Sequence, residues 1–271
     1  MISGTTLYVV FLNIDWGLTR EILLQANFSW LLVALLFFVG SKVVSALRLH
    51  VYFEAIELHL AHWYNLRLYW IGMFYNLFLP GGIGGDGFKV FILNKKFAIP
   101  VKSLIQATLL DRISGLVALV FLAGIGYTLM DRTQLPVWIF WGDLVGLFIL
   151  IPAYSYVVGR FFPIFYSSFW RTNFHSVAVQ LMQVISAYFI LRSLGVSDLY
   201  VEYQVLFLIS SVVAVFPFTI GGVGARELTF ILGYQFFGID ENTAVAFSLL
   251  FFLITALTSM CGGFLRVDAK E

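Results

Sequence analysis

Long apolar runs joined by short polar connections make up most of the chain. Because a membrane-spanning helix needs about 20 apolar residues, seven stretches are spanning candidates: 28–47, 63–79, 103–130, 135–158, 174–191, 201–219 and 243–265. A further stretch, 228–238, is too short to cross alone and predicts a half-helix or a continuation of the span before it. The runs do not alternate as barrel strands do. They predict an all-α polytopic membrane protein with about 7–8 transmembrane segments, forming one integral membrane domain over 1–271.

Composition supports a bilayer location. Hydrophobic residues form 61% of the 271 residues and charged residues 11%, with a mean hydropathy of +0.93, whereas soluble domains have about 45–50% apolar and about 25% charged residues. The net charge of +1 gives no reason to expect a nucleic-acid partner. A single cysteine, Cys261, excludes an intramolecular disulfide and has no neighbouring metal ligands. We expect no cofactor and no metal.

A glycine-rich motif occurs twice in the chain. The first copy is PGGIGGDGFK at 80–89 and the second begins PFTIGGVGAR at 217 and extends to 227, so both follow the pattern P-x-x-I-G-G-x-G-x-[K/R]. Each copy lies between apolar segments. This repetition predicts two related halves, one covering about 15–130 and the other about 135–266.

Each copy of the motif predicts a break in a helix within the membrane. Proline removes a backbone donor and a glycine pair disfavours helix continuation, while irregular backbone at membrane depth is tolerated only inside protein or beside a water-filled cavity. The helix that restarts after the break is expected to offer free N–H groups, its positive dipole end and a basic side chain, which together suit a phosphate. The residues concerned are Gly84, Gly85, Lys89, Gly221, Gly222 and Arg226.

The motif allows two other interpretations. The spacing Gly82-x-Gly84-x-x-Gly87 matches a dinucleotide fingerprint, but that fingerprint needs a preceding strand and an acidic residue about 20 positions later. The flanks here are apolar helices, so a nucleotide loop is disfavoured. Ordinary turns between helices remain open, although they do not explain why the two copies are alike.

Three pairs of charged residues lie in or beside apolar segments: Asp86 with Lys89, Asp111 with Arg112, and Arg226 with Glu227. Ionisable residues in a membrane span are functional candidates by default. Asp86 and Lys89 are three residues apart and can pair on one helix face, whereas adjacent residues such as Asp111 and Arg112 are expected to reach different partners. Asn76, just before the first motif, is expected to add a neutral polar group. Ion pairs that merely lock helices together remain an equal alternative.

A polar stretch follows the first span, with Arg48 just beyond its expected end and therefore assigned to a connection. His50, Glu54, Glu57, His59 and His62 lie in this stretch. His59 and His62 could share a helix face and bind a metal, but no recognised zinc spacing is present. We therefore predict an amphipathic surface helix here.

The motif residues resemble those of the lysylphosphatidylglycerol synthase transmembrane family. The elements that carry the resemblance are N76-x-x-x-P80-x-x-x-G84-G85-D86, L110-D111-R112-x-x-G115 and P217-x-x-I220-G221-G222-x-G224-x-R226-E227. The resemblance implies a helical domain in the cytoplasmic membrane of a prokaryote. It also implies functional roles for Asp86, Asp111, Arg112, Arg226 and Glu227.

The resemblance further implies that the membrane domain of this family moves aminoacylated phosphatidylglycerol between leaflets, while a soluble domain makes that lipid. Stand-alone members look like translocators of lipid-linked intermediates. No soluble aminoacyl-transfer domain accompanies this sequence, so we do not expect enzyme activity. We expect a flippase that moves an anionic or aminoacylated phospholipid or a lipid-linked intermediate between leaflets. Its expected partners are membrane lipids with anionic head groups, and also a second copy of the chain or a lipid-synthesising enzyme. A membrane enzyme acting on a lipid phosphate and a non-transporting envelope-assembly subunit are the alternatives.

Overall fold

Helices account for nearly all of the secondary structure in the part of the chain that the computed structural model describes, which comprises residues 16–79, 83–130, 137–215 and 225–267. Ten α-helices and two short 3₁₀ helices occur in these ranges, without a strand. The α-helices are α1 Trp16–Leu24, α2 Phe28–Glu54, α3 His62–Phe78, α4 Gly84–Phe97, α5 Val101–Leu129, α6 Val137–Phe161, α7 Phe169–Ser193, α8 Tyr200–Val215, α9 Ala225–Phe237 and α10 Glu241–Met260. The 3₁₀ helices, Pro163–Ser168 and Cys261–Phe264, precede α7 and follow α10.

Five helical stretches are long and apolar enough to cross a membrane. They are Phe28–Glu54, Val101–Leu129, Val137–Phe161, Pro163–Ser193 and Glu241–Phe264. At 1.5 Å per residue, the 27 residues of α2 exceed the roughly 30 Å of a hydrocarbon core. The prediction of an all-α polytopic membrane protein is confirmed.

Two shorter helices occupy the other predicted spans. The stretch 63–79 forms α3, of 17 residues, and 201–219 forms α8, of 16 residues. Helix α3 is followed by α4, of 14 residues, and α8 is followed by α9, of 13 residues. In each case a segment outside the described residues lies between the two helices. Stretch 228–238 therefore lies in a helix that begins at Ala225. Both pairs, α3 with α4 and α8 with α9, pack against each other.

The long helices pack around α2 and α7, which contact each other over much of their length. Helix α5 packs against both α7 and α8, and α10 contacts α1, α3 and α9. Helix α6 is peripheral, with Tyr154 and Val158 as its buried residues. An apolar helix with so little buried surface is suited to a lipid environment.

The two largest hydrophobic cores of the described residues lie at opposite ends of this bundle. One contains Leu49 and Phe53 at the end of α2 with Leu104 early in α5. The other contains Phe38 near the start of α2 with Leu119 later in α5. Helices α2, α5 and α7 contribute to both cores, and between the two cores they carry polar and charged side chains. The fold thus places a polar layer along the lengths of its longest helices.

The prediction of a surface helix over the histidine-containing stretch is wrong. Helix α2 continues to Glu54, and His59 lies in the connection before α3 begins at His62, so His59 and His62 do not share a helix. His50 instead packs against His62, with ring centres 4.5 Å apart and the rings tilted, and its Nε2 lies 3.3 Å from a carboxylate oxygen of Glu54. Among the described residues there is no group of three or more His, Cys, Asp or Glu that could hold a metal.

Some predicted features fall outside the described residues. These include residues 80–82 of the first motif and 216–224, which contain Gly221 and Gly222 of the second. The side chain of Glu227 is also outside the description. The division into two related halves therefore stays a prediction.

Candidate functional site

A charged cavity of about 320 Å³ lies in the polar layer between the two hydrophobic cores. Its wall is built from α2, α3, α4, α5, α7, α8 and α9. The charged residues that line it are Lys42, Arg48, Asp86, Lys89, Asp111, Arg112 and Arg226, with Asn76, Gln180 and Gln183 among the neutral polar ones. Five basic side chains face two carboxylates, so basic groups outnumber acidic ones by three in the described wall. Such a cavity is suited to an anion.

Asp111 of α5 pairs with Arg48 of α2. Arg48 Nε donates to Asp111 Oδ1 at 2.7 Å, and Arg48 Nη1 donates to Ser176 Oγ of α7 at 3.0 Å. The two charged side chains are 6% and 10% exposed. Because the three residues lie on three different helices, this buried pair fixes the relative positions of α2, α5 and α7.

The prediction that Arg48 lies in a connection beyond the first span is wrong. Arg48 lies well inside α2, which ends six residues later at Glu54. A helix longer than the bilayer core carries polar residues past the end of its apolar run, so the end of a run did not mark the end of the helix.

Asp86, in the first turn of α4, pairs with two cations. Lys89 Nζ donates to Asp86 Oδ1 at 3.0 Å, and Arg112 Nε of α5 donates to the other carboxylate oxygen. Lys89 also lies over the ring of Tyr69 on α3, 4.8 Å from its centre. The predicted pairing of Asp86 with Lys89 is confirmed, and so is the expectation that Asp111 and Arg112 reach different partners.

The start of α4 differs from the expected anion site. The Gly85 N–H donates to Asn76 Oδ1 of α3 at 2.7 Å, and the N–H groups of Asp86 and Gly87 donate to the carbonyl of Ile83 at 3.0 Å. The expectation of free N–H groups is therefore wrong for these three residues. Asn76 acts as a helix cap supplied by the preceding helix.

Gly84 and Gly85 serve helix packing. A Cβ at Gly85 would collide with the backbone carbonyl of Gly72 on α3, and one at Gly84 would collide with the side chain of Leu79. Gly87, in contrast, has open space where a Cβ would stand. The described cavity wall includes Asn76, Asp86 and Lys89 but not Gly84 or Gly85. The two glycines let α3 and α4 approach closely enough to bring Asp86 and Lys89 to the cavity.

Arg226 enters the cavity from the second motif. Its Nη1 donates to Ser211 Oγ of α8 at 3.2 Å, and its guanidinium lies 4.9 Å from the ring centre of Phe251 on α10. Aromatic rings attract a guanidinium without neutralising it. Lys89 and Arg226, at matching motif positions, therefore line one cavity.

Lys42 is a further basic residue of the wall, and it is not among the site residues predicted from the sequence. It lies within the predicted span 28–47, so the general rule for ionisable residues in membranes would have singled it out. Its Nζ is 4.4 Å from the ring centre of Phe38.

An apolar groove of about 500 Å³ adjoins the charged cavity between α4 and α5. Ile83, Ile105 and Leu109, which line it, are exposed hydrophobic residues. Asp86 and Arg112 line both the groove and the cavity. The ion pair between these two residues thus stands where a polar compartment meets an apolar surface.

The sequence relationship agrees with this arrangement. A family model described as the lysylphosphatidylglycerol synthase TM region matches residues 1–263 of the 271-residue chain. The chain belongs to the lysylphosphatidylglycerol synthase transmembrane family. The resemblance seen in the motif residues is thereby confirmed, and the chain is a multi-pass membrane protein of a family concerned with lipid handling. No curated protein gives a significant match to the chain.

The residues singled out by resemblance to the lysylphosphatidylglycerol synthase transmembrane family come together in space. Asp86, Asp111, Arg112 and Arg226 line the same cavity although they belong to α4, α5 and α9. Their role in substrate binding stays a prediction.

Proposed function

We propose that the protein is a lipid translocator, which moves phospholipids or lipid-linked intermediates with anionic head groups between the leaflets of a membrane. The observation that supports it most strongly is the contact between the charged cavity and the apolar groove through Asp86 and Arg112. A lipid joins a charged group to apolar chains, and the two compartments offer a place for each. The head group would enter the cavity while the chains stay in the groove or the bilayer.

The cation-rich wall supplies the attraction for a lipid phosphate. Arginine and lysine hydrogen bonds to phosphate oxygens are charge-assisted and stronger than neutral ones, and they gain strength in a cavity screened from bulk water. Arg112 and Asp86 stand at the entrance from the groove, so a phosphate that reaches Arg112 competes with the carboxylate of Asp86. The phosphate can replace the carboxylate as the partner of Arg112, so this guanidinium keeps an anionic partner while the head group enters.

We place this activity in the cytoplasmic membrane of a prokaryote, and the family relationship supports this location. An enzyme that makes the transported lipid, or a second copy of the chain, would be its partner. The chain contains no G-x-x-x-x-G-K-[S/T] loop, so the proposed energy source is an ion gradient or the lipid gradient itself.

Reconstitution into liposomes tests the proposal. Purified protein is placed in vesicles with phosphatidylglycerol labelled on a short acyl chain, and a membrane-impermeant reductant reports how fast the label in the inner leaflet becomes accessible. The wild type should accelerate this movement. Arg226→Gln removes one cavity cation and should slow it about tenfold or more, because hydrogen bonds to charged groups contribute about 1.5–3 kcal/mol.

Arg160→Gln is the matched control, since Arg160 is exposed in the last turn of α6 and should be replaceable without effect. Equal rates for wild type and Arg226→Gln would contradict the assignment of the cavity. Recovery of a covalently altered lipid would favour the alternative of a membrane enzyme. Movement no faster than in protein-free vesicles would favour the non-transporting subunit.

A further inference from the structure

The carboxylates of the cavity wall are already engaged by neighbouring cations. Asp111 accepts from Arg48, and Asp86 accepts from both Lys89 and Arg112. These two carboxylates therefore compensate only part of the charge around them. Basic side chains therefore outnumber the carboxylates in the described part of the cavity wall.

Lys42 carries part of that excess without a carboxylate beside it in the described part of the chain. Two guanidinium groups, those of Arg48 and Arg226, line the same cavity as Lys42, and the Lys42 Nζ lies over the ring of Phe38. Like charges held together away from water are costly unless an anion joins them. Lys42 and Arg226 reach the cavity from α2 and α9, whereas Asp86 reaches it from α4.

The size of this excess distinguishes between lipid phosphates. A phosphodiester carries a single negative charge, whereas a phosphomonoester carries about −1.5 to −2 at pH 7. A diphosphate carries at least as much. Since the described wall has five basic side chains and two carboxylates, a head group with the larger negative charge can pair with more of the basic side chains.

On this basis we propose that the cavity selects lipids whose head group is a phosphomonoester or diphosphate without an ammonium group, and that Lys42 binds the phosphate. This inference rests on the proposed translocation function and narrows its substrate class. A lysyl ester of phosphatidylglycerol adds ammonium groups that make the head group net positive, so it would increase the repulsion within the wall. The cavity of this chain is therefore matched to an unmodified anionic lipid.

Rates for a series of head groups test the inference. Vesicles with wild-type protein receive, in separate experiments, acyl-chain-labelled phosphatidic acid, phosphatidylglycerol, phosphatidylcholine or lysylphosphatidylglycerol. Phosphatidic acid should move fastest and lysylphosphatidylglycerol no faster than phosphatidylcholine. Unlabelled polyprenyl phosphate should slow the movement of labelled phosphatidic acid if the cavity binds isoprenoid lipids. Unlabelled dioleoyl phosphatidic acid should slow that movement if the cavity binds glycerolipids. Either competition supports the inference.

Lys42→Met removes the charge and keeps the length of the side chain. It should lower the ratio of the phosphatidic acid rate to the phosphatidylcholine rate about tenfold, because a charge-assisted hydrogen bond is lost. This ratio is measured on one preparation and does not depend on the amount of folded protein. Lys42→Arg should retain the preference, and Lys95→Met, at an exposed position of α4, should leave it unchanged.

Three results would overturn the inference. The first is that lysylphosphatidylglycerol moves as fast as phosphatidic acid. The second is that Lys42→Met leaves the ratio of the phosphatidic acid rate to the phosphatidylcholine rate unchanged. The third is that neither unlabelled phosphate lipid competes. Equal rates for all lipids are one case of the first result, and they would leave the proposed translocation intact. Rates no higher than in protein-free vesicles for any lipid would reject the translocation function and this inference with it.

Discussion

Replacing Arg48 by methionine tests whether the ion pair between α2 and α5 is the structural centre of the site. In the wild type, Arg48 Nε and Asp111 Oδ1 are 2.7 Å apart and both side chains are at most one-tenth exposed. At an effective dielectric constant of about 20, the attraction at this distance is about 6 kcal/mol. Desolvation of the two ions offsets much of this attraction, at several kcal/mol per ion.

The net loss in Arg48→Met comes from the carboxylate left behind. Asp111 stays buried without its nearest cation, and breaking a buried pair in this way costs about 3–5 kcal/mol of unfolding free energy. Ser176 is less affected, because its hydroxyl also donates to the carbonyl of Thr172 at 3.0 Å. The double variant with Asp111→Leu removes both charges and should recover most of the loss, since replacing a buried pair by apolar residues is often neutral.

Arg171→Met is the matched control for the same chemical change. Arg171 Nη1 lies 3.2 Å from Glu54 Oε2, but the side chains are 62% and 32% exposed, so the pair should contribute only about 0–1 kcal/mol. Equilibrium unfolding in detergent micelles, followed by helical circular dichroism, measures all four proteins. The reasoning is refuted if Arg48→Met costs no more than Arg171→Met, or if the double variant is as unstable as Arg48→Met alone.

Two further predictions concern the contact between α3 and α4. Gly85→Ala should lower the unfolding midpoint strongly because its Cβ collides with the backbone of Gly72, whereas Gly87→Ala has open space and should be neutral or more stable by up to about 1 kcal/mol from helix propensity. Asn76→Ala should cost about 1 kcal/mol because the Gly85 N–H loses its acceptor, and Asn76→Asp should retain the stability because it keeps an oxygen at a helix start. Thermal unfolding in detergent measures both sets.

Each of these predictions has a result that would contradict it. Equal midpoints for Gly85→Ala and Gly87→Ala would mean that the two helices do not approach as closely as described. A stability of Asn76→Asp as low as that of Asn76→Ala would mean that the side-chain oxygen does not cap α4.

Local pairings in the site could be predicted from the sequence because they depend on helix geometry alone. Asp86 and Lys89 are three residues apart, so any helix through the motif brings them to one face. In the same way, adjacent residues on a helix point in different directions, which predicted different partners for Asp111 and Arg112. Lys42 was equally accessible to this kind of reasoning, since it is a charged residue inside a predicted span.

Arg48 and the motif glycines could not be assigned from the sequence. Arg48 follows the apolar run, and only the length of α2 and its rotation against α5 bring the guanidinium to a residue 63 positions away. Gly84 and Gly85 fitted a phosphate loop as well as a helix crossing. Their use became clear only from the backbone of Gly72, which stands where a side chain at Gly85 would be.

The sequence by itself therefore determined that the protein is helical, lies in a membrane and carries charges near two helix breaks. These properties follow from apolar run length and from the backbone chemistry of proline and glycine, both of which are local. The tertiary structure decided which charges meet, which N–H groups are capped and that five cations share a cavity with two carboxylates. Those outcomes depend on how helices rotate and pack against one another, because side chains far apart in the chain become neighbours only when the bundle is assembled.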